Sequence, residues 1–218
     1  MLKTRDLYDL KCSIAGEYLS GFEYPWEALK GIQDLILTLG PTLGEDYTEA
    51  APTVWVHKTA KIFPSAYLGA PCIIGPDPEV PHCAFIRGCA LVGAGCVVGN
   101  SVELKNVILF DGVQVPHYNY VGDSILGHIA HMGAGSVTSN VKSDKTLVVV
   151  KNGTEKIETG LKKFGARLGD FVEGGCNSVL NPGTVFGRDS NVYPTSCVRG
   201  MVDEGCIWKN DGSVVKKH

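Results

Sequence analysis

The chain has 218 residues, of which 44% are hydrophobic and 8% aromatic, and carries a formal net charge of -3. That length suits one elongated domain with a terminal cap, and the sparse aromatics suit a narrow core of stacked aliphatic side chains. The charge offers no general attraction to nucleic acid or an anionic membrane, no apolar run reaches the roughly 18 residues of a membrane span, and the start MLKTRDLYDL lacks a signal peptide's apolar stretch; a cytoplasmic protein is expected.

Residues 1-50 read as a helical cap. Leu7, Leu10, Ile14 and Tyr18 have helical spacing, and Pro25 stands at a first helical position before Trp26, Leu29, Ile32 and Ile36, ending at Gly40. Two such helices are expected to cover the open edge of the first coil of a repeat that begins near Val54.

From Val56 an aliphatic or aromatic residue recurs at every sixth position, through Ile62, Leu68 and Ile74 to Leu104 and Phe110. A small or apolar residue lies two places before each, from Val54, Ala60 and Ala66 to Val102 and Ile108. Neither a helix nor an ordinary sheet has this period, so the repeat is itself a unit, a short strand and a turn. Three units per coil give an all-β fold, a left-handed parallel β-helix of hexapeptide repeats, spanning about 51-200.

The period slips after Phe110, in DGVQVPHYNYVGD, and resumes at Leu126 and Met132. It stops again in an insertion arm at about 141-162, where Asn152-Gly153 between apolar segments signals a projecting β-hairpin. A second run follows from Leu168 to Val198, and 201-218 reads as a closing hairpin around Asp211-Gly212. The eight cysteines include no C-x-x-C pair, and Cys72 and Cys96 fill small inward slots. They are expected to be free packing residues in a reducing compartment, not metal ligands.

With three hexapeptides per coil, Arg87 and Lys105 stack, about 4.8 Å apart. Two such cations repel by roughly 3 kcal/mol at an effective dielectric of 20, which an anion such as phosphate would relieve; splaying into water is the alternative. His117 lies in the first break, three residues before Tyr120, and imidazole is suited to proton removal near neutral pH.

The stretch from Arg87 through Asp123, with Arg87 and Lys105, VPHYNYVGDS and MGAGSVTSN, resembles the acetyltransferase domain of the bifunctional N-acetylglucosamine-1-phosphate uridyltransferase. TGLKKFGARLGD (159-170) with NSVLNPGTVFG is similar to the archaeal sugar-1-phosphate nucleotidyltransferase/amino-sugar acetyltransferases. The resemblance implies a hexosamine-1-phosphate N-acetyltransferase using acetyl-CoA as cosubstrate, with no tightly bound cofactor and no metal. In it Arg87 and Lys105 hold the sugar phosphate, His117 is the general base, and Tyr120 and Asn140 position substrate. Ala134 meets the thioester, Cys176 takes a CoA-contacting place, Lys163 reaches a neighbouring subunit's site, and Lys145 matches a loop lysine. It also implies a homotrimer with sites between subunits.

Three departures stand out: the family's nucleotidyltransferase domain is missing, so no nucleotidyltransferase activity is expected of the chain alone; His131 replaces a common asparagine; and Cys176 and Pro194 occupy CoA-contacting places. Two other readings compete. One is a non-catalytic sugar-phosphate-binding or scaffold subunit serving a separate nucleotidyltransferase. The other is a zinc carbonic anhydrase-like trimer using His82, His117 and His128 or His131, whose spacing differs from that family's.

Overall fold

The computed structural model describes residues 1–217. Short strands stack in parallel into the left-handed β-helix. Val54 pairs with Cys72 and Cys72 with Ala90, and Lys61 with Glu79, so each coil here takes three full hexapeptides. The inward residues Ile74, Val92, Leu104, Leu126, Leu168 and Phe186 have no solvent exposure. Many corners place one residue in the left-handed region. Ser101, Tyr118, Gly135, Asn177 and Thr195 form one such column, with φ between 53° and 73°. Asn106 and Asp123 (φ 54° and 48°) stand on another. Asparagine and aspartate tolerate that conformation better than branched residues do, which explains their places in the repeat.

The repeat contracts earlier than the sequence suggested. Leu104 lies opposite Ile86, a full coil back, but Leu109 lies opposite Val92, one residue short of a full coil. One residue is therefore dropped between Leu104 and Val107, not after Phe110. The inward residue is Leu109, and its small partner is Val107 rather than Ile108. Phe110 misled because it too is fully buried, but against the outside of the coil, where its ring stacks on Tyr8 at 5.0 Å. The next coil is short by the same single residue, as Gln114 pairs with His131. Beyond the insertion the pairing returns to the full coil (Ala166 with Thr184) and ends two residues short of it (Val185 with Met201).

The N-terminal segment folds in shorter pieces than its periodicity implied: helices Thr4–Leu7, Gly16–Ser20 and Ile32–Leu39, joined by 3-10 turns. Asp9 accepts a hydrogen bond from the Lys11 N–H and the Ser13 hydroxyl accepts one from the Ala15 N–H, so side chains compete with the helix between Leu7 and Gly16. Pro25 opens a 3-10 stretch, Pro25–Gly31. These pieces do not seal the first coil's edge. They run along one flank, because its outward residues Ile73, Leu91, Ile108 and Ile125 are apolar and need cover. Strand Tyr47–Ala51, antiparallel to Val54–His57, covers the first edge instead. Val214–Lys216, antiparallel to Cys206–Trp208, covers the last.

The insertion forms the hairpin Val149–Asn152 with Glu155–Glu158. Asn152 pairs with Glu155, so the turn residues are Gly153 and Thr154, one place later than the sequence signal. Val148 and Val150 are fully buried, and the Met1 amino group pairs with Glu155, so the hairpin lies back along the flank. All eight cysteines are free. Among the described residues no helix is long and apolar enough to cross a membrane.

On the flank column the aliphatic series gives way once, at Arg167, which pairs with Ile125 and Val185. Its guanidinium is fully buried, stacks 4.2 Å over the Phe164 ring, and donates to the carbonyls of Asp123 (3.0 Å) and Ala166 (2.7 Å). Nε and Nη2 have no hydrogen-bond partner among the described residues, and desolvation pushes the pKa down to about 10. Arg167→Ala, which opens a cavity and removes one hydrogen bond from each of two carbonyls, is expected to cost about 3 kcal/mol or more in urea denaturation. Arg167→Met fills the same space without an incompletely paired buried charge and is expected within about 1 kcal/mol of the parent.

Candidate functional site

Arg87 and Lys105 stand on successive coils, since Leu104 lies opposite Ile86 and the Arg87 N–H donates to the Leu104 carbonyl. Neither cation is left alone. Arg87 Nη1 lies 3.0 Å from Glu103 Oε1, and Lys105 Nζ lies 3.5 Å from Asp123 Oδ2. The first pair is open, with Arg87 side-chain exposure at 54%, whereas the Asp123 side chain is only 6% exposed.

Asp123 is the hub of this face. Its Oδ1 accepts from the Asn106 amide (2.9 Å), and its Oδ2 from the Asn140 amide (2.5 Å) as well as facing Lys105. The same Asn140 amide donates to the Tyr120 hydroxyl at 3.1 Å. Burial holds the Tyr120 hydroxyl above its ordinary pKa, reinforced by the charges of Asp123 and Glu103. Arg87, Lys105, Tyr120 and Asn140 thus share one network, completed by two carboxylates that sequence reasoning missed. Neither Glu103 nor Asp123 is assigned a role from the sequence. The available signal was their place: Asp123 lies one contracted coil after Asn106, at the same left-handed corner.

His117 ends the strand Gln114–His117 on the adjoining face, and the corner Tyr118-Asn119 separates it from Tyr120. Its ring is exposed and accepts or donates no hydrogen bond among the described residues. Its backbone is held firmly. The N–H donates to Asn119 Oδ1 (3.2 Å), and the carbonyl accepts from Gly135 (2.9 Å). Asn119 is 2% exposed, and its amide donates to the carbonyls of Gly133 (2.8 Å) and Ser136 (3.0 Å). This inward asparagine in a small-residue slot locks the corner, a role the repeat pattern did not reveal.

The corner ladder carries the column on. Gly135 donates to His117, Asn177 to Ala134, and Thr195 to Cys176, so His117, Ala134, Cys176 and Pro194 lie in one line down the solenoid. Cys176 is exposed. The sequence-derived residues of the solenoid therefore fall into two groups either side of one corner, the line from His117 to Cys176 and the network of Arg87, Lys105, Tyr120 and Asn140. Within the chain no hydrogen bond joins the His117 ring to the Arg87–Asn140 network among the described residues.

Lys145 and Lys163 belong to the insertion. Lys145 is exposed, in the left-handed region (φ 57°), and its N–H donates to the Lys142 carbonyl. Lys163 is exposed where the insertion closes, bridged to Val141 and next to Phe164, whose N–H donates to the Asn140 carbonyl. Of the other histidines, His82 hydrogen-bonds Ser65 (2.9 Å), His128 the Asp111 carbonyl (2.8 Å), and His131 Glu173 (2.8 Å). Among the described residues no three His, Cys, Asp or Glu side chains are grouped to hold a metal ion.

The two ion pairs predict unequal costs. Glu103→Gln removes an exposed pair and is expected to change stability by less than about 1 kcal/mol. Asp123→Ala deprives two amides and an ammonium of their carboxylate partner and is expected to cost about 2–4 kcal/mol, with chemical denaturation as the readout.

No protein-family model matches the chain. A bifunctional sugar-1-phosphate nucleotidylyltransferase/acetyltransferase of Sulfurisphaera tokodaii is 28% identical over 189 residues, covering 85% of this chain and 47% of that protein. The bifunctional protein GlmU of Methanococcus vannielii is 33% identical over 135 residues, covering 62% of this chain and 32% of that protein. Among solved structures, the acetyltransferase domain of PglB from Neisseria gonorrhoeae, in complex with acetyl coenzyme A, is 16% identical with a TM-score of 0.39, over 72% of this chain and 54% of that one. The chain spans between a third and a half of the length of these curated relatives. The chain is similar to the bifunctional sugar-1-phosphate nucleotidylyltransferase/acetyltransferases over less than half of their length.

Proposed function

We propose that the chain is an acetyl-CoA-dependent N-acetyltransferase acting on an amino-sugar 1-phosphate, glucosamine or galactosamine 1-phosphate. The observation that carries this reading is His117: an exposed imidazole with no partner among the described residues, on a backbone locked by Asn119, between a column of small groups and a polar face with two cations. The name of the Sulfurisphaera tokodaii relative includes both the acetyltransferase and the sugar-1-phosphate chemistry.

In this reading Arg87 and Lys105 hold the phosphate. The exposed Arg87–Glu103 pair is worth little, so Arg87 exchanges a carboxylate for a phosphate at small cost. Tyr120 and Asn140, tied to each other, face the sugar hydroxyls. Lys145 and Lys163 add positive charge from the insertion. His117 takes a proton from the attacking 2-amino nitrogen as the new C–N bond forms, while the thioester C–S bond breaks and the departing thiolate is protonated. A backbone N–H in the Ala134 stretch stabilises the tetrahedral oxyanion. Acetyl-CoA supplies the activated acyl group, in a groove along Ala134 and Cys176.

The assembly proposed is a homotrimer with sites shared between chains. Tyr67, Phe85 and Tyr118 support it: they are 59%, 40% and 65% exposed, and lie on the face and corner flanking the network. A large apolar surface of this kind favours burial against another copy. A cytoplasmic location and a separate nucleotidyltransferase partner belong to the same reading.

The test is product detection by mass spectrometry after incubation with acetyl-CoA and either sugar phosphate, with the oligomeric state measured in parallel. His117→Ala is expected to lower the rate about 100-fold or more. Arg87→Gln is expected to raise the KM for the sugar phosphate. Acetyl-CoA should also slow alkylation of Cys176, read by peptide mapping. Product formed equally well by His117→Ala would remove His117 as the base. No product with either sugar, from an intact oligomer, would favour the sugar-phosphate-binding subunit.

A further inference from the structure

The insertion hairpin roofs a cavity of about 700 Å³ that the proposed chemistry does not use. Its walls carry Lys142, Lys151, Lys156 and Arg199, against a single carboxylate, Asp144. Asp144 is already engaged, accepting from the Thr146 N–H and hydroxyl and pairing with Lys142 at 3.4 Å. Four cations less one carboxylate leave a charge of +3 in the cavity. Lys151, Lys156 and Arg199 have no acidic partner among the described residues.

The hairpin register adds an independent observation. Lys151 and Lys156 are direct cross-strand partners, and both face this cavity. Like charges opposite each other weaken a strand pair, so the arrangement is unfavourable until an anion sits between them. Arg199 comes from a different part of the chain, on the ladder that continues from Lys105 through Gly122, Ser139 and Asn181. Four coil steps separate Arg199 from Lys105, about 19 Å, so one phosphate cannot serve both places. The volume lies within the range for a nucleotide-sized ligand and is larger than a lone phosphate needs.

We propose that this cavity is a second anion site, further along the solenoid than the Arg87–Lys105 pair, that binds the diphosphate group of a nucleotide-type ligand. Arg199 supplies a planar fork to one phosphate, and the opposed lysines clamp the other. A diphosphate could arrive on a nucleotide-linked sugar or on coenzyme A, and competition separates the two sources. The site stands whether or not the chain transfers acetyl groups, because its test is binding alone.

Inorganic pyrophosphate is the first probe, with thermal unfolding and equilibrium titration of the full chain as readouts. Pyrophosphate is expected to raise the melting temperature of the parent protein. Lys156→Gln is expected to melt higher than the parent without ligand, since the lysine repulsion is gone, and to lose the pyrophosphate-induced rise. Arg199→Gln should weaken pyrophosphate binding at least tenfold, whereas Arg87→Gln should leave it unchanged. Displacement by uridine diphosphate but not coenzyme A would support the nucleotide-sugar source, and the reverse would support coenzyme A. Parent-like binding by both Lys156→Gln and Arg199→Gln, loss confined to Arg87→Gln, or no effect of pyrophosphate on the parent would overturn the proposal.

Discussion

Parallel stacking imposes vertical neighbours. Each side chain in a coil sits about 4.8 Å above a counterpart in the coil below, whether or not the two suit each other. A helix or an antiparallel sheet can vary its neighbours by shifting a crossing angle or a register, whereas a solenoid repeats them. The residues chosen for each column follow from this. Aliphatic side chains fill the inward columns, left-handed conformers fill the corners, and charges must be balanced within a column or beside it. Glu103 and Asp123 achieve that balance for Arg87 and Lys105, each from an adjacent place in the stack.

The inward columns were legible because period six identifies them directly, and the stacking of Arg87 on Lys105 followed because the full coil still holds at Leu104. The contraction just after it was not legible. Phe110 satisfies a hydrophobic pattern equally well pointing into the core or outward beneath Tyr8, and the pattern records burial without direction. The flank column Ile73, Leu91, Ile108 and Ile125 hid for the same reason, and with it the place where the N-terminal segment docks. Asn119 was missed because its slot is a small-residue slot elsewhere, so a polar group there resembled a tolerated substitution. The basic cavity joins an insertion outside the repeat to Arg199, and no local spacing connects them.

The corner beside His117 separates two kinds of surface. On one side is a line of small side chains, Ala134, Cys176 and Pro194, joined by the corner ladder. On the other is a hydrogen-bonded set of long polar side chains around Asp123. The corner itself is rigid, because Asn119 is buried and fully engaged beneath it. In the proposed reaction, this arrangement would keep His117 fixed while the polar face exchanges partners, a division of labour that suits transfer between two bound molecules.

The segment that covers the flank is also fastened at a distance. Asp170 accepts from the Asp9 N–H at 2.6 Å, and its own N–H donates to the Leu7 carbonyl at 3.0 Å. The covering segment is therefore synthesised well before its anchor. At a translation rate of about 5–20 residues per second, roughly ten to thirty seconds pass between the emergence of Asp9 and that of Asp170. Part of the covered surface is complete earlier, since Tyr8 stacks on Phe110 and the helix carrying Ile36 packs on strands that end by Leu109. The apolar face of the segment can therefore dock on the early coils first, and the bonds from Asp170 to Leu7 and Asp9 can fasten its start only once that later coil exists.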